Sequence, residues 1–495
     1  MPFQIRRNGA SALAIALALF AAAGSQVRAE TVRGGLVLDR VTIVDVRDGR
    51  LVRDRAVIIA GDDIVRIVPA GSVKVAGAGR RIDGKGLFVV PGFNDMHAHN
   101  LNSDSPETSL PLMLANGITG FRQMAGAPAL LAATAAGRPL LPSDSPALLG
   151  MPGTIIVGPA FADPAAVRAE IVRQKREGAD FIKVVDLPSA SFVAAADAAK
   201  ANGLPFVGHL PMSVDAREAM RHHMAAIEHV GPGIGLLLNC SRDEAAIRAM
   251  LAAIPPSAPN FDIAPEKLQR MLANPMLQTP PPGFLMIRRV LATYDEAKCR
   301  AFASDVAASE TWMVPTLSRL EAMSLGNAPS LRDNPDLRYV PAAARDLWRQ
   351  VGADFDAKLT AEQRLTLTDL FAAQMRMTKL FDAAGVKMLA GTDFGGQWIA
   401  PGFSLHHEFD LLASTGVSPL RILQMATLDP AIFLHREAKA GTVEVGKSAD
   451  LVLLDADPTA SAANLHRIRG VVRAGRYLDR AMLDRIEARA AAALR

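Results

Sequence analysis

The stretch VVPGFNDMHAHN, residues 89–100, closes an apolar run with two histidines one residue apart. In extended backbone, residues i and i+2 point to the same side, so His97 and His99 present both imidazoles to one point. Such a pair either lies solvated at a strand end or aims at a metal ion, and the rest of the chain decides between the two. Lys183 stands inside FIKVV, where an ammonium without a partner is costly to bury. His209 ends LPFVGHL, His229 ends AAIEHV, and Asp393 ends MLAGTD just ahead of Phe394-Gly395-Gly396. Taken singly, Lys183 can snorkel to water, either histidine can be a satisfied core residue, and Asp393 can cap a turn. Taken together, metal-competent side chains stand at the ends of successive apolar strands, and metal-dependent chemistry is the simplest account. His222 and His223 are adjacent in a helical stretch, share no face and read as surface residues. His406 and Glu408 follow the last strand and are weaker candidates for the same site.

These side chains need a scaffold that brings strand ends together. The runs GITGFRQM, ADFIKVVD, LPFVGHLP, AAIEHV, TWMVPTL and GVKMLAGTD alternate with helical stretches such as DPAAVRAEIVRQKREGA and SFVAAADAAKANG, the latter closed by Asn202-Gly203. Alternation of this kind predicts an α/β fold with a parallel sheet and outer helices. About eight units predict a (β/α)8 TIM-like barrel, whose active site lies at the C-terminal strand ends. The third unit, around 147–158, is indistinct. Insertions 231–310 and 318–384 exceed ordinary loops and are expected as helical caps over the mouth. GLVLDRVTIVDVRDGR and RAVIIAGDDIVRIVPAG at one end, and GTVEVGKSADLVLLDAD and IRGVVRAGRYLDR at the other, read as antiparallel strands. They predict a small β-sandwich built from both chain ends. The expected division is 30–90 and 439–482 for that sandwich, 91–438 for the barrel with its insertions, and 483–495 for a C-terminal helix.

The order HxH, Lys, His, His, Asp, together with VVPGFNDMHAH, LPLMLANGITGFRQM, MLAGTDFGG and GTVEVGKSADLVLLDADP, resembles the amidohydrolase superfamily in its binuclear-metal form. The resemblance runs over nearly all of the chain after residue 29, and its nearest branch is the prolidase-like (Xaa-Pro dipeptidase) and imidazolonepropionase-like group. It implies that carbon dioxide carboxylates Lys183, and that this carbamate bridges two divalent ions, zinc first, with manganese, cobalt or iron as rivals. His97, His99 and Asp393 would complete one metal site, and His209 and His229 the other. The implied mechanism is attack of metal-bound hydroxide on a polarised carbonyl, with Asp393 as the catalytic proton carrier. The implied reaction is hydrolysis of an amide or peptide-like C–N bond in a dipeptide, Xaa-Pro peptide or N-acyl amino acid. The alternative is a cyclic amide, imidazolone- or hydantoin-like, or a lactone. Lys183 argues against single-metal imidazolonepropionases and deaminases, and the complete ligand set argues against a non-catalytic binding protein. Two features depart from the pattern. Gln123 stands where relatives often carry an acid, and Tyr294, Tyr339 and Tyr477 offer no evident substrate-recognition tyrosine. Substrate-binding residues stay unassigned, and Arg122 reads first as part of a structural ion pair.

The N-terminus MPFQIRRNG, followed by the apolar ASALAIALALFAAA and then GSQVRAE, reads as a signal peptide over 1–29. It predicts export, to a bacterial periplasm, of a chain starting near Glu30. Arg6-Arg7 before Asn8-Gly9 matches the twin-arginine signal poorly. No cysteine follows the apolar run, so no lipid or other stable membrane anchor is expected after signal removal. Cys240 and Cys299 are the only cysteines; a disulfide between them is open, and a cysteine-rich metal site is excluded. A net charge of +4 over 495 residues, with no basic cluster interleaved with aromatics, argues against a nucleic-acid partner. The expected partner is a small-molecule or dipeptide-like substrate, and a homo-oligomer is expected from the multimeric habit of the superfamily.

Overall fold

Short, wholly apolar segments such as FVG and WMV are buried on both faces, as parallel strands covered by helices must be. The computed structural model describes residues 30–138, 140–231, 233–253 and 264–494; the signal-peptide segment 1–29 lies outside them. The fold is mixed α/β. Phe93–Ala98, Ile118–Gln123 and Ala147–Gly150 pair in parallel as one sheet. Ile182–Val184, Phe206–Gly208, Met224–Glu228 and Trp312–Val314 pair in parallel, in chain order, as a second. Single bridges join what the two sheets leave open. Ile156 pairs with Val184, which links the indistinct third unit to the fourth strand. Met388 pairs with Met313 and Phe394 with Ala98, so the GVKMLAGTD segment runs between the seventh strand and the first. That segment bonds through isolated bridges rather than as a regular strand. Close packing accounts for its glycine: a Cβ on Gly391 would lie 2.8 Å from the His97 Cβ.

Helices pack outside these strands. Pro164–Arg176 and Ser189–Ala201 lie against each other, and the second buries Ala194, Ala195, Ala198 and Ala199, small side chains that admit close approach. Both insertions are helical, as expected. The first carries Glu244–Ala252, Pro265–Ala273, Pro281–Ala292 and Glu296–Ala307; the second includes Ala342–Lys358 and Ala361–Ala383. Cys240 and Cys299 form a disulfide within the first insertion.

The ends of the chain do meet, but not as two comparable facing sheets. Leu36–Val44, Leu51–Ala60, Asp63–Pro69, Arg80–Asp83 and Phe88–Pro91 join Leu451–Leu454, Ile468–Arg473 and Arg476–Asp479 in one eight-stranded mixed sheet. The seam is Phe88–Pro91, which pairs with Leu451–Leu454 on one side and with Leu36–Val44 on the other. A two-stranded pair, Glu30–Arg33 with Val73–Ala76, supplies a small second layer through Val32, Val73 and Val75 against Val37 and Ile58. The GTVEV run forms no strand. A C-terminal helix spans Arg480–Ala493. Among the described residues, no helix is long and apolar enough to cross a membrane.

Candidate metal centre

His97 is 1% exposed, and its Nδ1 lies 2.7 Å from Glu228 Oε2. Glu228 Oε1 accepts from Arg122 Nη2 at 2.9 Å, and Arg122 Nε donates to the Met96 carbonyl at 2.7 Å. Burial pushes the Glu228 carboxyl up, but Arg122 and His97 outweigh it and hold the group at about 2. Glu228 is therefore an anion that accepts from Nδ1–H of His97, which turns Nε2 toward Asp393. That nitrogen is buried, makes no hydrogen bond, and lies 3.2 Å from Asp393 Oδ1. His99 Nε2 is also 3.2 Å from the same oxygen. Burial raises Asp393, but the fields of His97 and His229 carry it well below the ordinary carboxylate range. Two imidazole nitrogens aimed at one carboxylate oxygen at 3.2 Å are held there by a positive charge between them, a proton or a metal ion.

His229 Nδ1 lies 2.7 Å from Thr316 Oγ1, and its ring centroid is 4.6 Å from that of His97 and 4.8 Å from that of His209. Single ligand atoms of His97, His229 and Asp393 all fall within 4.8 Å of one another, the one group of this kind among the described residues. Lys183 is 2% exposed, and its Nζ has no hydrogen-bond partner. Burial lowers its pKa to about 8, so part of the side chain is free amine near neutral pH. Its charge acts on His99 and His209, whose pKa values burial already lowers. The backbone is strained at the same place: His229, Val230, Thr316 and Asp393 all have left-handed φ, between 47° and 63°. Gly208, ahead of His209, has φ 139°, and a Cβ there would meet the Val184 carbonyl at 2.0 Å. Only glycine fits here, where the fifth strand pairs with the fourth just ahead of His209. The nitrogen and oxygen donors, the facing ring nitrogens and the orphan amine all fit a divalent metal centre.

The structure thus gathers His97, His229 and Asp393 into one group, with His99 on Asp393 and His209 beside His229. Lys183 lies within their electrostatic reach. Three further residues belong to the site. Glu228 carries the same signal as Lys183, a charge inside an apolar run. Asp95 accepts from the backbone N–H of His97 and Thr392 at 3.1 Å and from Thr392 Oγ1 at 2.7 Å, and burial raises it to about 6. Arg319, from the second insertion, places Nε 3.2 Å from Asp393 Oδ2. Its Nη1 and Nη2 donate to the carbonyls of Ala273 and Leu272, the open end of the helix Pro265–Ala273. No periodic signal marks that arginine. Arg122 forms the structural ion pair with Glu228. Gln123 braces a loop through Asn102, Leu101 and Ala125. His222 lies toward Asp197, and His223 is exposed. His406 bonds the Asn116 carbonyl, and Glu408 accepts from the N–H groups of Leu317 and Ser318; neither joins the centre.

The sequence profile of the amidohydrolase family matches residues 360–478. No curated relative matches by sequence. Solved structures match over most of the chain. A bottromycin amidohydrolase is 21% identical, with a TM-score of 0.66 over 92% of this chain and 90% of its own. A putative prolidase from Bifidobacterium longum is 19% identical, with a TM-score of 0.59 over 92% and 99%. A Xaa-Pro dipeptidase with methionine bound in its active site is 16% identical, with a TM-score of 0.57 over 90% and 100%.

Proposed function

We propose that the chain is a member of the amidohydrolase superfamily on a prolidase-like fold, an exported binuclear enzyme that hydrolyses C–N bonds of dipeptides, Xaa-Pro peptides or N-acyl amino acids. One observation carries the reading: the ligand atoms of His97, His229 and Asp393 converge beside Lys183, a buried amine without a partner. In this reading the parallel strands form a (β/α)8 barrel over 91–438, and the six residues stand at its strand ends. His97, His99 and Asp393 would hold one divalent ion, zinc in the first instance, and His209 and His229 the second. Lys183, carboxylated when carbon dioxide bonds its free amine and a proton leaves, would supply anionic oxygen donors to the same centre. Bound there, the ions supply an acidified water and polarise the scissile carbonyl.

The chain's own residues do the rest. Glu228 holds the Nδ1 proton of His97, which fixes the ring and leaves Nε2 as the ligand atom. Arg319 anchors Asp393 Oδ2, which orients the carboxylate toward His97 and His99. Asp393, held ionised, accepts the proton of the attacking water and returns it to the leaving nitrogen. The Cys240–Cys299 disulfide supports an oxidising compartment and so supports export. The bottromycin amidohydrolase and the Xaa-Pro dipeptidase support a peptide-like substrate.

The test is amine release from pooled dipeptides and N-acyl amino acids by zinc-loaded protein starting at Glu30, with Lys183→Ala alongside. Release by the parent alone is expected. Silence from a protein holding two ions sinks the peptidase reading and moves the assignment to cyclic amides or lactones.

A further inference from the structure

We propose a second metal site, separate from the six residues above, in which His406 and His466 bind a divalent transition-metal ion of the zinc class. His406 lies on the helix Phe403–Thr415 and is 6% exposed. Its Nε2 donates to the Asn116 carbonyl at 3.0 Å, so in the neutral ring Nδ1 is a bare lone pair. That Nδ1 is buried with no hydrogen-bond partner, and an unanswered buried acceptor is costly. Phe93 and Phe409 meet the ring edge-on and offer no donor. The polar neighbour is His466, whose ring centroid lies 4.8 Å away. His466 Nε2 is 2.9 Å from Asp410 Oδ1, and with that nitrogen donating to the carboxylate, Nδ1 is the ring atom open to a metal ion. Asp410 follows His406 by four residues and shares its helix face. His407 repeats the arrangement at the same cavity, with Nε2 2.6 Å from Glu321 Oε2.

All three imidazoles thus have one ring nitrogen held by an oxygen, and in His406 the other is buried without a partner, which is how metal-binding histidines are oriented. They line one cavity of about 350 Å³ together with Glu321, Asp336 and Asp410, and among the described residues no lysine or arginine lines it. A cation is what such a lining lowers in energy. Two imidazoles leave coordination positions for carboxylate or water, within the range zinc accepts. None of His97, His99, Lys183, His209, His229 or Asp393 lines this cavity, so the inference stands whether or not those six support hydrolysis.

The test is zinc bound per chain after dialysis of the full-length protein at micromolar free zinc, compared among the parent, His466→Gln and Asp410→Asn. His466 and Asp410 are partly exposed, so both changes are suited to a folded chain. The expected result is one ion fewer in His466→Gln. Asp410→Asn should bind that ion about 10- to 100-fold more weakly. Amide hydrolysis and the melting temperature without metal should stay unchanged in both. Equal zinc in the parent and His466→Gln overturns the proposal. So does loss of all zinc from a His97→Ala, His99→Ala variant. Should His466→Gln fail to fold, unchanged affinity in Asp410→Asn overturns it alone.

Discussion

Two buried ionic arrangements lie side by side on the inner strands, and they are finished to different degrees. On one side Arg122 and Glu228 are fully paired and reach His97 Nδ1, with contacts of 2.7–2.9 Å. On the other, Lys183 is equally buried and its amine meets nothing. Complete networks rigidify and position; an orphaned buried group lowers stability until something outside the chain completes it. The difference separates architecture from site. Glu228 and Arg122 are spent on holding His97, whereas Lys183 Nζ and His97 Nε2 have no hydrogen-bond partner within the chain.

Substitution can break this comparison. Lys183→Met should lower kcat/KM about 10⁴-fold, on the order of 5 kcal/mol, while the fold holds its stability or gains some, because an unpaired buried amine is gone. Initial rates and denaturant melts on the same preparation check it. A melt midpoint that falls steeply would make Lys183 a structural residue. Glu228→Ala should do the reverse. It leaves Arg122 buried without its anion and costs about 3–5 kcal/mol of stability, read by the same melts. A loss under about 1 kcal/mol would mean the network is not what holds His97 in place.

A smaller effect is expected one step out. Arg319→Ala should lower kcat about 10- to 100-fold with little change in KM, since it frees Asp393 Oδ2 and uncaps the carbonyls of Leu272 and Ala273 without removing any proposed ligand. Arg319→Lys should recover little, because one ammonium cannot serve Asp393 and two carbonyls at once. Full activity in Arg319→Ala would remove both insertions from any part in setting the carboxylate.

The six candidate ligands were legible because each is polar where its neighbours are apolar, and strand ends are where period-2 segments stop. Glu228 carried that same signal, yet one place before His229 it is easily read as part of the ligand pair. Arg319 was not legible: it reaches Asp393 from an inserted helix, and helix periodicity says which face is buried but not against what. The end sheet was legible in part. Alternation marks Leu36–Val44 and Leu51–Ala60 as strands, but pairing Phe88–Pro91 with Leu451–Leu454 joins residues hundreds apart, and alternation carries no information on that. The GVKMLAGTD segment was legible as extended and misleading as a regular strand, since glycine and the turn into positive φ at Asp393 limit its ladder to isolated bridges.

The smallest predicted effect is the control on the whole comparison. Arg47 and Glu444 form a two-bond pair at 2.9 and 2.8 Å, better in geometry than Arg122 with Glu228, but their side chains are 48% and 43% exposed. The hydrogen bonds from Arg47 and then Thr442 hold Glu444 at about 2, below its ordinary value of 4.5. A carboxyl whose pKa is depressed on folding adds stability above its unfolded pKa and loses it as pH falls. The contribution of this pair should therefore be whole at pH 7, begin to fade near pH 4.5 and be gone near pH 2. Exposure to water and the entropy of two long side chains keep it under about 1 kcal/mol. Arg47→Ala melts at pH 7 and pH 3, with and without added salt, read this directly. If Arg47→Ala costs as much as Glu228→Ala, contact geometry rather than burial sets the worth of these ion pairs, and the contrast between a finished and an unfinished interior loses its physical basis. If it costs a few tenths of a kcal/mol and fades in acid and in salt, burial is what gives the Glu228 network its hold on His97.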